Sequence, residues 1–386
     1  MKISSLSPSP TPPSFTLLPN EIVVNCLARI SRLYYPTLSI VSKTFHSLVS
    51  STELYAARSH LGITEQCVYV CLWDTSYESL QWFTLWINPN KTLPDSTTKK
   101  RKKKKKTTRQ LLAPIKSSNF PSISRSTIVV GYEIYVIGGP IEHEPSSAVQ
   151  VLDCRSHTWR NAPSMNVARK NPSACVYDGK IYILGGVRME DESWAEVFDI
   201  KTQTWERLTD PATEILKCSS IYRIAESQGK IHFRYYSGYP LRSFAYDPKQ
   251  GKWECCKGPV MLLESECVMD GVGYLWTDTR LLSYDLQSTG GYWRGVKGLD
   301  SLGAKYMRNG GSTDNTTKLV SCGGKLYLIW EGYMNHNPNN RKKIWFAEIA
   351  VEKPNGDEVW GNVEWVDVVR SVPTSCDLLH CLVVSV

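Results

Sequence analysis

Residues 173–186 read SACVYDGKIYILGG, which is an apolar strand, a two-residue turn and a second apolar strand that ends in two glycines. The Asp178-Gly179 pair suits a tight hairpin, because such turns require positive φ angles at their central residues. A third apolar run, VFD at residues 197–199, is followed by Trp205. The pattern therefore predicts a unit of four short strands joined by turns and loops.

The same pattern occurs once before. Residues 127–139 read TIVVGYEIYVIGG and are followed by Asp153 and Trp159, which lies 46 residues before Trp205. A period of roughly 45 to 50 residues with several short strands per unit is typical of β-propellers. The chain therefore predicts a mainly β protein built around a propeller.

Three later units keep this spacing but lose the paired glycines. Each has an apolar strand, an aspartate or aromatic position and a tryptophan, such as Asp247 with Trp253 and Asp285 with Trp293. The loss of Gly-Gly affects how closely the local backbones approach, but it leaves the blade itself in place. The predicted full units are residues 118–165, 166–210, 211–259, 260–302 and 303–370.

The two ends of the propeller region predict a further blade. Residues 378–384 form an apolar strand with no partner after it, and three predicted strands lie in residues 66–115. Combining residues 65–116 with 375–386 completes a four-stranded blade and removes both open edges. The sequence therefore predicts a six-bladed propeller over residues 65–386, with five blades as the alternative.

Residues 14–62 are the convincingly helical part of the chain and predict a small three-helix domain, followed by a further helical turn. Pro19 suits a helix start, and Ser42 and Ser51 are predicted helix caps. Apolar residues at helical spacing form one face, yet a segment this short rarely closes a core unaided. The surplus apolar surface indicates either a partner protein or a cap on the following domain. Residues 1–13 are rich in Ser and Pro and are expected to be disordered.

The formal charge of +8 comes from a single basic run within the predicted loop of residues 91–108. Without this run of eight, 37 basic residues balance 37 acidic ones, so no basic face is implied for the folded part. A nuclear localisation signal is one interpretation and a solvated loop is the other; nucleic-acid binding is disfavoured because no aromatic residues interleave. The run comprises Lys99, Lys100, Arg101, Lys102, Lys103, Lys104, Lys105 and Lys106.

The sequence contains no recognisable catalytic, cofactor or metal constellation. The twelve cysteines include no Cys-x-x-Cys pair, and the seven histidines are isolated. Glu142-His143-Glu144 would bind a metal weakly at best, and a solvated turn is the better interpretation. No apolar run reaches the roughly 18 residues of a membrane span. We therefore expect a non-catalytic protein without cofactors, located in the cytoplasm or nucleus.

Turns on one face of a propeller are suited to binding another protein. These are the loops after the second strand of each blade and the loops between blades. Arginine and aromatic residues are enriched at interface hot spots, so those in these loops are candidate substrate contacts. They are Arg169, Arg188, Trp194, Tyr236, Tyr239, Arg280, Arg308 and Tyr333.

Two segments resemble known domains. Residues 18–22 (LPNEI), 27–30 (LARI) and 38–45 (LSIVSKTF) resemble an F-box, and the double-glycine units resemble the kelch motif. The whole chain is similar to plant F-box/kelch-repeat proteins. This resemblance implies an F-box that docks on a Skp-type adaptor, and through it a cullin, while the propeller binds a target protein for ubiquitination. The implied adaptor-binding residues are Leu18, Pro19, Ile22, Leu27, Ile30, Leu38, Val41 and Phe45.

Two other functions stay open at this point. The protein could be an interaction scaffold whose F-box recruits no ligase. It could also be a kelch-propeller metalloenzyme, although no motif of such enzymes is present and the F-box would be unexplained.

Overall fold

The computed structural model describes residues 18–77, 79–85, 111–115, 124, 126–139, 144–187, 193–209, 221–235, 242–256, 266–277, 279–286, 292–311, 316–332, 341–353 and 358–386. The chain divides into two compact units, Met1–Glu65 together with Val386, and Gln66–Ser385. The first is a helical unit and the second is a β-propeller.

The helical unit contains four short α-helices and one 3-10 turn. The first helix begins directly after Pro19, whose missing N–H would have no partner at a helix start. Ser42 Oγ accepts a hydrogen bond from the Phe45 amide at 3.1 Å, and Ser51 Oγ accepts one from the Leu54 amide at 3.3 Å, which confirms both predicted caps. The bounds are α1, Asn20–Ala28; the 3-10 turn, Arg32–Tyr34; α2, Tyr35–Ser39; α3, Lys43–Leu48; and α4, Thr52–His60.

A buried arginine, Arg58, braces the interior of this unit. Its Nη1 donates to the carbonyl oxygens of Ala28 at 3.0 Å and Ile30 at 2.9 Å. Its Nη2 donates to the Ile63 carbonyl and to Glu65 Oε1, both at 2.8 Å. The last carbonyl groups of a helix have no partner within the helix. One side chain of α4 therefore satisfies the end of α1 and fixes the segment that follows α4.

The propeller consists of six four-stranded antiparallel sheets, which confirms the prediction of six blades. The closing blade contains β1, Gln66–Asp74; β2, Ser79–Leu85; and β3, Leu112–Pro114. Blade 1 contains β4, Thr127–Val130; β5, Glu133–Ile137; β6, Val149–Asp153; and β7, Thr158–Ala162. Blade 2 contains β8, Ser173–Tyr177; β9, Lys180–Leu184; β10, Ala195–Asp199; and β11, Thr204–Arg207.

The remaining strands continue this meander. Blade 3 contains β12, Ile221–Ser227; β13, Lys230–Tyr235; β14, Arg242–Asp247; and β15, Lys252–Cys255. Blade 4 contains β16, Glu266–Met269; β17, Val272–Thr277; β18, Arg280–Asp285; and β19, Arg294–Gly295. Blade 5 contains β20, Thr317–Cys322; β21, Lys325–Gly332; β22, Arg341–Glu352; and β23, Trp360–Pro373. The first strand of the closing blade is β24, Cys376–Ser385.

Strand β24 closes the ring. It pairs with β1 from Gln66 opposite Ser385 to Asp74 opposite Cys376, with one irregularity between Cys71 and Leu72. It also contacts β4 and β20, the first strands of the neighbouring blades. The first strands therefore lie side by side around the centre, and the pairing leaves no open edge at the join.

Aromatic contacts join neighbouring blades. The rings of Tyr135 in blade 1 and Phe198 in blade 2 lie 6.5 Å apart, and those of Tyr182 in blade 2 and Tyr246 in blade 3 lie 6.2 Å apart. All four side chains are buried. Large rings fill the spaces where the twisted sheets splay apart, so apolar clusters join blade 1 to blade 2 and blade 2 to blade 3.

The linker between blades 4 and 5 contains a helix that the sequence pattern did not predict. Helix α5, Asp300–Arg308, crosses the expected unit boundary between residues 302 and 303. Its inner face consists of Leu302, Gly303 and Tyr306, which are buried. Gly303 lowers helix propensity, so this helix is stabilised mainly by packing on the two blades.

Candidate protein-interaction surfaces

Four large aliphatic side chains among the described residues of the helical unit are exposed. Leu18 and Ile22, at the start of α1, are 41% and 48% exposed. Ile40 and Val41, in the turn between α2 and α3, are 82% and 64% exposed. Apolar groups gain roughly 25 cal/mol for each Å² removed from water. We refer to these four residues as the apolar patch; within the helical unit they are the groups that would gain most from a partner.

The structure separates the predicted adaptor-binding residues into three groups. Leu18, Pro19, Ile22 and Val41 are exposed, whereas Ile30, Leu38 and Phe45 are half-buried. Leu27 is only 1% exposed, so its prediction as a direct contact is wrong: it belongs to the interior of the unit. Ile40 was not among the predicted contacts. The turn position of Ile40 explains the omission, since helical spacing alone would place it on an inner face.

The interior of the helical unit contains two neutral tyrosines, Tyr35 and Tyr55, beside two arginines. Burial raises the pKa of Tyr35 and of Tyr55, although Arg58 and Arg32 beside them act in the opposite direction. The neutral Tyr35 hydroxyl donates to the Leu27 carbonyl at 3.3 Å and accepts from Arg58 Nη1 at 3.2 Å. These contacts hold the end of α1 in place.

The propeller has one face that carries the turns after the second strand of each blade and the linkers between blades. We call it the upper face. There the linkers touch the neighbouring turns directly: the Gly139 amide donates to the Arg169 carbonyl at 2.9 Å, and the Lys170 amide donates to the Gly186 carbonyl at 2.7 Å. The linker and turn backbones therefore form one connected surface.

Arg169 and Trp194 are not part of that exposed surface, so their prediction as substrate contacts is wrong. Arg169 is fully buried and pairs with Glu196, with Nη2 2.8 Å from Oε1. It also donates to the carbonyls of Gly185, Ser193 and Trp194 at 2.7–3.1 Å. The buried indole of Trp194 packs 5.5 Å from the ring of Phe233. Both residues hold the linker and turn together.

Arg280 and Arg308 are exposed on the upper face. Arg280 begins β18 directly after the turn from β17, and Arg308 ends α5. Among the described residues, neither guanidinium forms an ion pair. Their predicted contact with a target stays a prediction. Several other predicted positions lie outside the described residues, namely Arg188, Tyr236, Tyr239, Tyr333 and the basic run of residues 99–106.

A buried lysine lies at the join between blade 5 and the closing blade. Lys342 Nζ donates to Glu331 Oε2 at 2.6 Å and to Asp377 Oδ1 at 2.8 Å. Burial acts to lower the pKa of Lys342, but the two carboxylates outweigh it and raise that pKa above its usual value. Glu331 also accepts a hydrogen bond from the Leu378 amide. This cluster sets one cation against two carboxylates and ties β24 to blade 5.

The thiols of the propeller interior are protonated. Burial raises the pKa of Cys175 to about 12 and those of Cys322 and Cys376 to about 11. A protonated thiol is a weak nucleophile and a poor metal ligand. Across the described ranges, no group of three His, Cys, Asp or Glu side chains is arranged to hold a metal. No helix in the described part of the chain has the length and apolar character of a membrane span.

The fold and the surfaces define a two-part protein-interaction molecule, a helical unit with an exposed apolar patch and a propeller with an elaborated upper face. Comparisons with known proteins agree with this class. The family model for the F-box domain matches residues 15–56, and the model for the FKB95 Kelch-repeats domain matches residues 82–370. The second match covers most of the chain.

Curated relatives from Arabidopsis thaliana are similar over nearly their whole length. The chain is 63% identical to the F-box/kelch-repeat protein At4g19870, over 99% of this chain and 96% of the relative. It is 61% identical to the F-box/kelch-repeat protein At4g19865, over 97% and 93% of the two chains. The chain belongs to the plant family of F-box/kelch-repeat proteins. Proteins of this kind are generally substrate adaptors of Skp–cullin–F-box ubiquitin ligases and are typically non-catalytic.

Proposed function

We propose that this protein is the substrate-receptor subunit of a Skp–cullin–F-box ubiquitin ligase. The observation that carries the proposal is the apolar patch, which lies within residues that match the F-box model. Ile40 in particular is 82% exposed, and a large aliphatic side chain at this exposure gains stability only when a partner covers it. A Skp-type adaptor is that partner.

In this role the protein positions the target and performs no chemical step itself. The helical unit docks on the adaptor through the apolar patch, and the propeller binds a target protein at its upper face. Holding the target beside the ubiquitin-transfer machinery raises the effective concentration of its lysines. The closed ring of blades supports this role, because variable turns on a rigid scaffold are a common platform for recognition.

Removal of the patch tests the adaptor contact. The double variant Ile22→Ser, Ile40→Ser changes two exposed residues, so the helical unit is expected to fold as before. An aliphatic side chain of this size contributes about 1.5–3 kcal/mol when fully buried. We therefore expect at least a tenfold loss of affinity for a purified Skp-type adaptor, measured by isothermal titration calorimetry with the full chain.

A matched control changes Thr52→Ser and Ala56→Ser, two exposed positions on α4. This variant is expected to bind the adaptor like the wild type. Equal binding by the patch variant and the wild type would refute the assigned surface. Failure of the wild type to bind any Skp-type adaptor would refute the ligase function and favour a scaffold that recruits no ligase.

We further propose that the protein acts in the cytoplasm or the nucleus, where cullin ligases operate. The basic run of residues 99–106 is the proposed nuclear signal. Replacing its lysines by glutamine in a fluorescent fusion is expected to lower the nuclear fraction. An unchanged nuclear fraction would assign the run to a solvated loop instead.

A further inference from the structure

The linker helix α5 is held firmly between blades 4 and 5. The ring of the buried Tyr306 lies 5.4 Å from that of Trp276 in blade 4 and 5.5 Å from that of Trp330 in blade 5. The Tyr306 hydroxyl is 2.7 Å from Thr317 Oγ1. The helix is thus fixed by both neighbouring blades, and its outer residues are presented on a rigid support.

The helix also touches the turns of both blades. A Cβ at Gly303 would collide with the carbonyl oxygen of Thr279, in the turn between β17 and β18. A Cβ at Gly332, where β21 ends, would lie 2.6 Å from the carbonyl oxygen of Asn309. The two glycines allow the helix backbone to settle against the turns. As a result α5 is continuous with the upper face.

The outer side of α5 combines apolar and basic groups. Ala304, Met307 and Arg308 are exposed, and because Met307 and Arg308 follow Ala304 by three and four residues, both are its neighbours on the helix surface. Arg280 follows directly on Thr279, against which the helix packs, and is also exposed. We call Arg280, Ala304, Met307 and Arg308 the α5 surface.

Among the described residues of α5 and the adjoining turn, Arg280, Lys305 and Arg308 are basic and Asp300 is acidic; Asp278, two residues before Arg280, lies outside the described residues. Lys305 lies beside the surface, with Nζ 5.3 Å from the Trp345 ring centroid and 3.2 Å from the Val366 carbonyl. Asp300, in the first turn of α5, is the acidic residue of the helix. Within the described residues, no ion pair occupies Arg280 or Arg308. Two exposed guanidinium groups and an exposed, adaptable thioether suit a ligand with both carboxylates and an apolar side chain.

We propose that the α5 surface docks an acidic segment of the target protein, in which Asp or Glu residues flank an apolar side chain. This inference rests on the proposed function, since it names the part of the propeller that reads the target. Guanidinium groups bind the carboxylates in paired hydrogen bonds, and Met307 covers the apolar residue. A polyanion such as RNA is disfavoured because the exposed helix face offers Ala304 and Met307 rather than a row of cations or stacking rings.

The test uses the purified full chain and a displayed library of random twelve-residue peptides. Peptides selected by the wild type are expected to be enriched in Asp and Glu next to apolar residues. Their affinity is then measured by fluorescence anisotropy for the wild type and for Arg280→Gln, Arg308→Gln. Loss of two charge-assisted contacts is expected to weaken binding by about tenfold or more.

The matched control removes two charges elsewhere. Lys201 and Lys249 are exposed, and each lies in a turn between the third and fourth strands of its blade, on the opposite face. Lys201→Gln, Lys249→Gln is expected to bind the selected peptides like the wild type. An equal loss in this control, or peptides without acidic enrichment, would overturn the proposal. So would preferential, arginine-dependent binding of a single-stranded RNA 20-mer.

Adaptor binding is measured on the same preparations, so that a failure of peptide docking can be distinguished from a failure of the proposed ligase function. The arginine variant is expected to keep its affinity for the adaptor. Peptide selection by a protein that binds no adaptor would refute the ligase function and support the α5 surface. Adaptor binding without peptide selection at the α5 surface would support the ligase function and overturn the docking proposal.

Discussion

At the junction of blades 1 and 2 the linker is held by a buried arginine, whereas at the junction of blades 4 and 5 it is held by a packed helix. In the first, Arg169 and Glu196 satisfy each other and the surrounding backbone groups. In the second, Leu302 and Tyr306 enter an apolar space lined by tryptophans. The two linkers occupy equivalent places in the ring but are stabilised by different chemistry.

The difference explains the paired glycines. A Cβ at Gly138 would lie 3.0 Å from the Arg169 carbonyl oxygen, and one at Gly186 would lie 2.7 Å from that of Lys170. The motif therefore marks blades against which an extended backbone is pressed. Where the linker is a helix, single glycines at positions 303 and 332 allow the backbones to approach closely. Blades 4 and 5, which lack Gly-Gly at the end of the second strand, flank the helical linker and keep four strands each.

The largest expected effect comes from removing the Arg169–Glu196 ion pair at the junction of blades 1 and 2. Arg169→Met leaves the Glu196 carboxylate buried without its counter-charge, which typically costs about 3–5 kcal/mol of unfolding free energy. Guanidinium denaturation monitored by tryptophan fluorescence measures the loss. The double variant Arg169→Met, Glu196→Gln removes the stranded charge and is expected to recover part of it. A loss below about 1 kcal/mol in the single variant would contradict the ionic account.

Leu302→Ala disrupts the apolar packing of α5 at the junction of blades 4 and 5. Truncating a buried leucine typically costs about 2–5 kcal/mol, since it removes buried surface and leaves a cavity. The matched control is Met307→Ala on the exposed side of the same helix, which is expected to change stability by less than about 0.5 kcal/mol. Equal effects of the two substitutions in the same denaturation assay would mean that the helix is not anchored by its inner face.

Substitutions at two glycines distinguish the cost of backbone strain from the cost of steric crowding. Gly179 and Gly186 have φ of 71° and 72°, but only Gly186 has a neighbouring carbonyl in the space of a Cβ. Gly179→Ala is expected to cost about 1–2 kcal/mol from the left-handed backbone alone. Gly186→Ala is expected to cost more, because the linker at Lys170 must also move. A smaller loss for Gly186→Ala than for Gly179→Ala would show that the linker is not tightly pressed against this blade.

The smallest expected effect comes from removing the hydroxyl group of Tyr306, the buried tyrosine of α5. Tyr306→Phe removes the hydroxyl bonded to Thr317 while keeping the ring between the two tryptophans. A hydrogen bond of this kind contributes about 0.5–1.5 kcal/mol. The same denaturation assay should therefore detect a loss of about 1 kcal/mol. A loss as large as that of Leu302→Ala would indicate that polar contacts, not apolar packing, hold this junction.

The sequence predicted the blade count because each unit carries its own turn and strand signals. Asp178-Gly179, the double glycines and the Asp–Trp spacing are local features, and the six sheets confirm the count. Ser42 and Ser51 were likewise identifiable as caps, since a cap contacts an amide three residues away.

What could not be predicted depends on partners that are distant in the sequence. Arg169 reads as an exposed linker residue until Glu196, 27 positions later, is brought beside it. Helix α5 contains only Leu302 and Tyr306 as large buried residues within the helix, and their burial depends on Trp276 and Trp330 in two different blades. Ile40 lies in a turn, where periodicity carries no information about exposure.

The pairing of β24 with β1 also has a consequence for biosynthesis. Contacts across this join, such as that from the Thr75 amide to the Ser375 carbonyl, span 300 residues. At roughly 5–20 residues per second, the ribosome delivers the closing strand about 15–60 s after β1 has been made. During that time α1 to α4 have already been made, while β1 can pair with β2 but still lacks β24. The nascent chain can therefore present its apolar patch before its ring is closed, and chaperone protection of β1 would be needed for that interval.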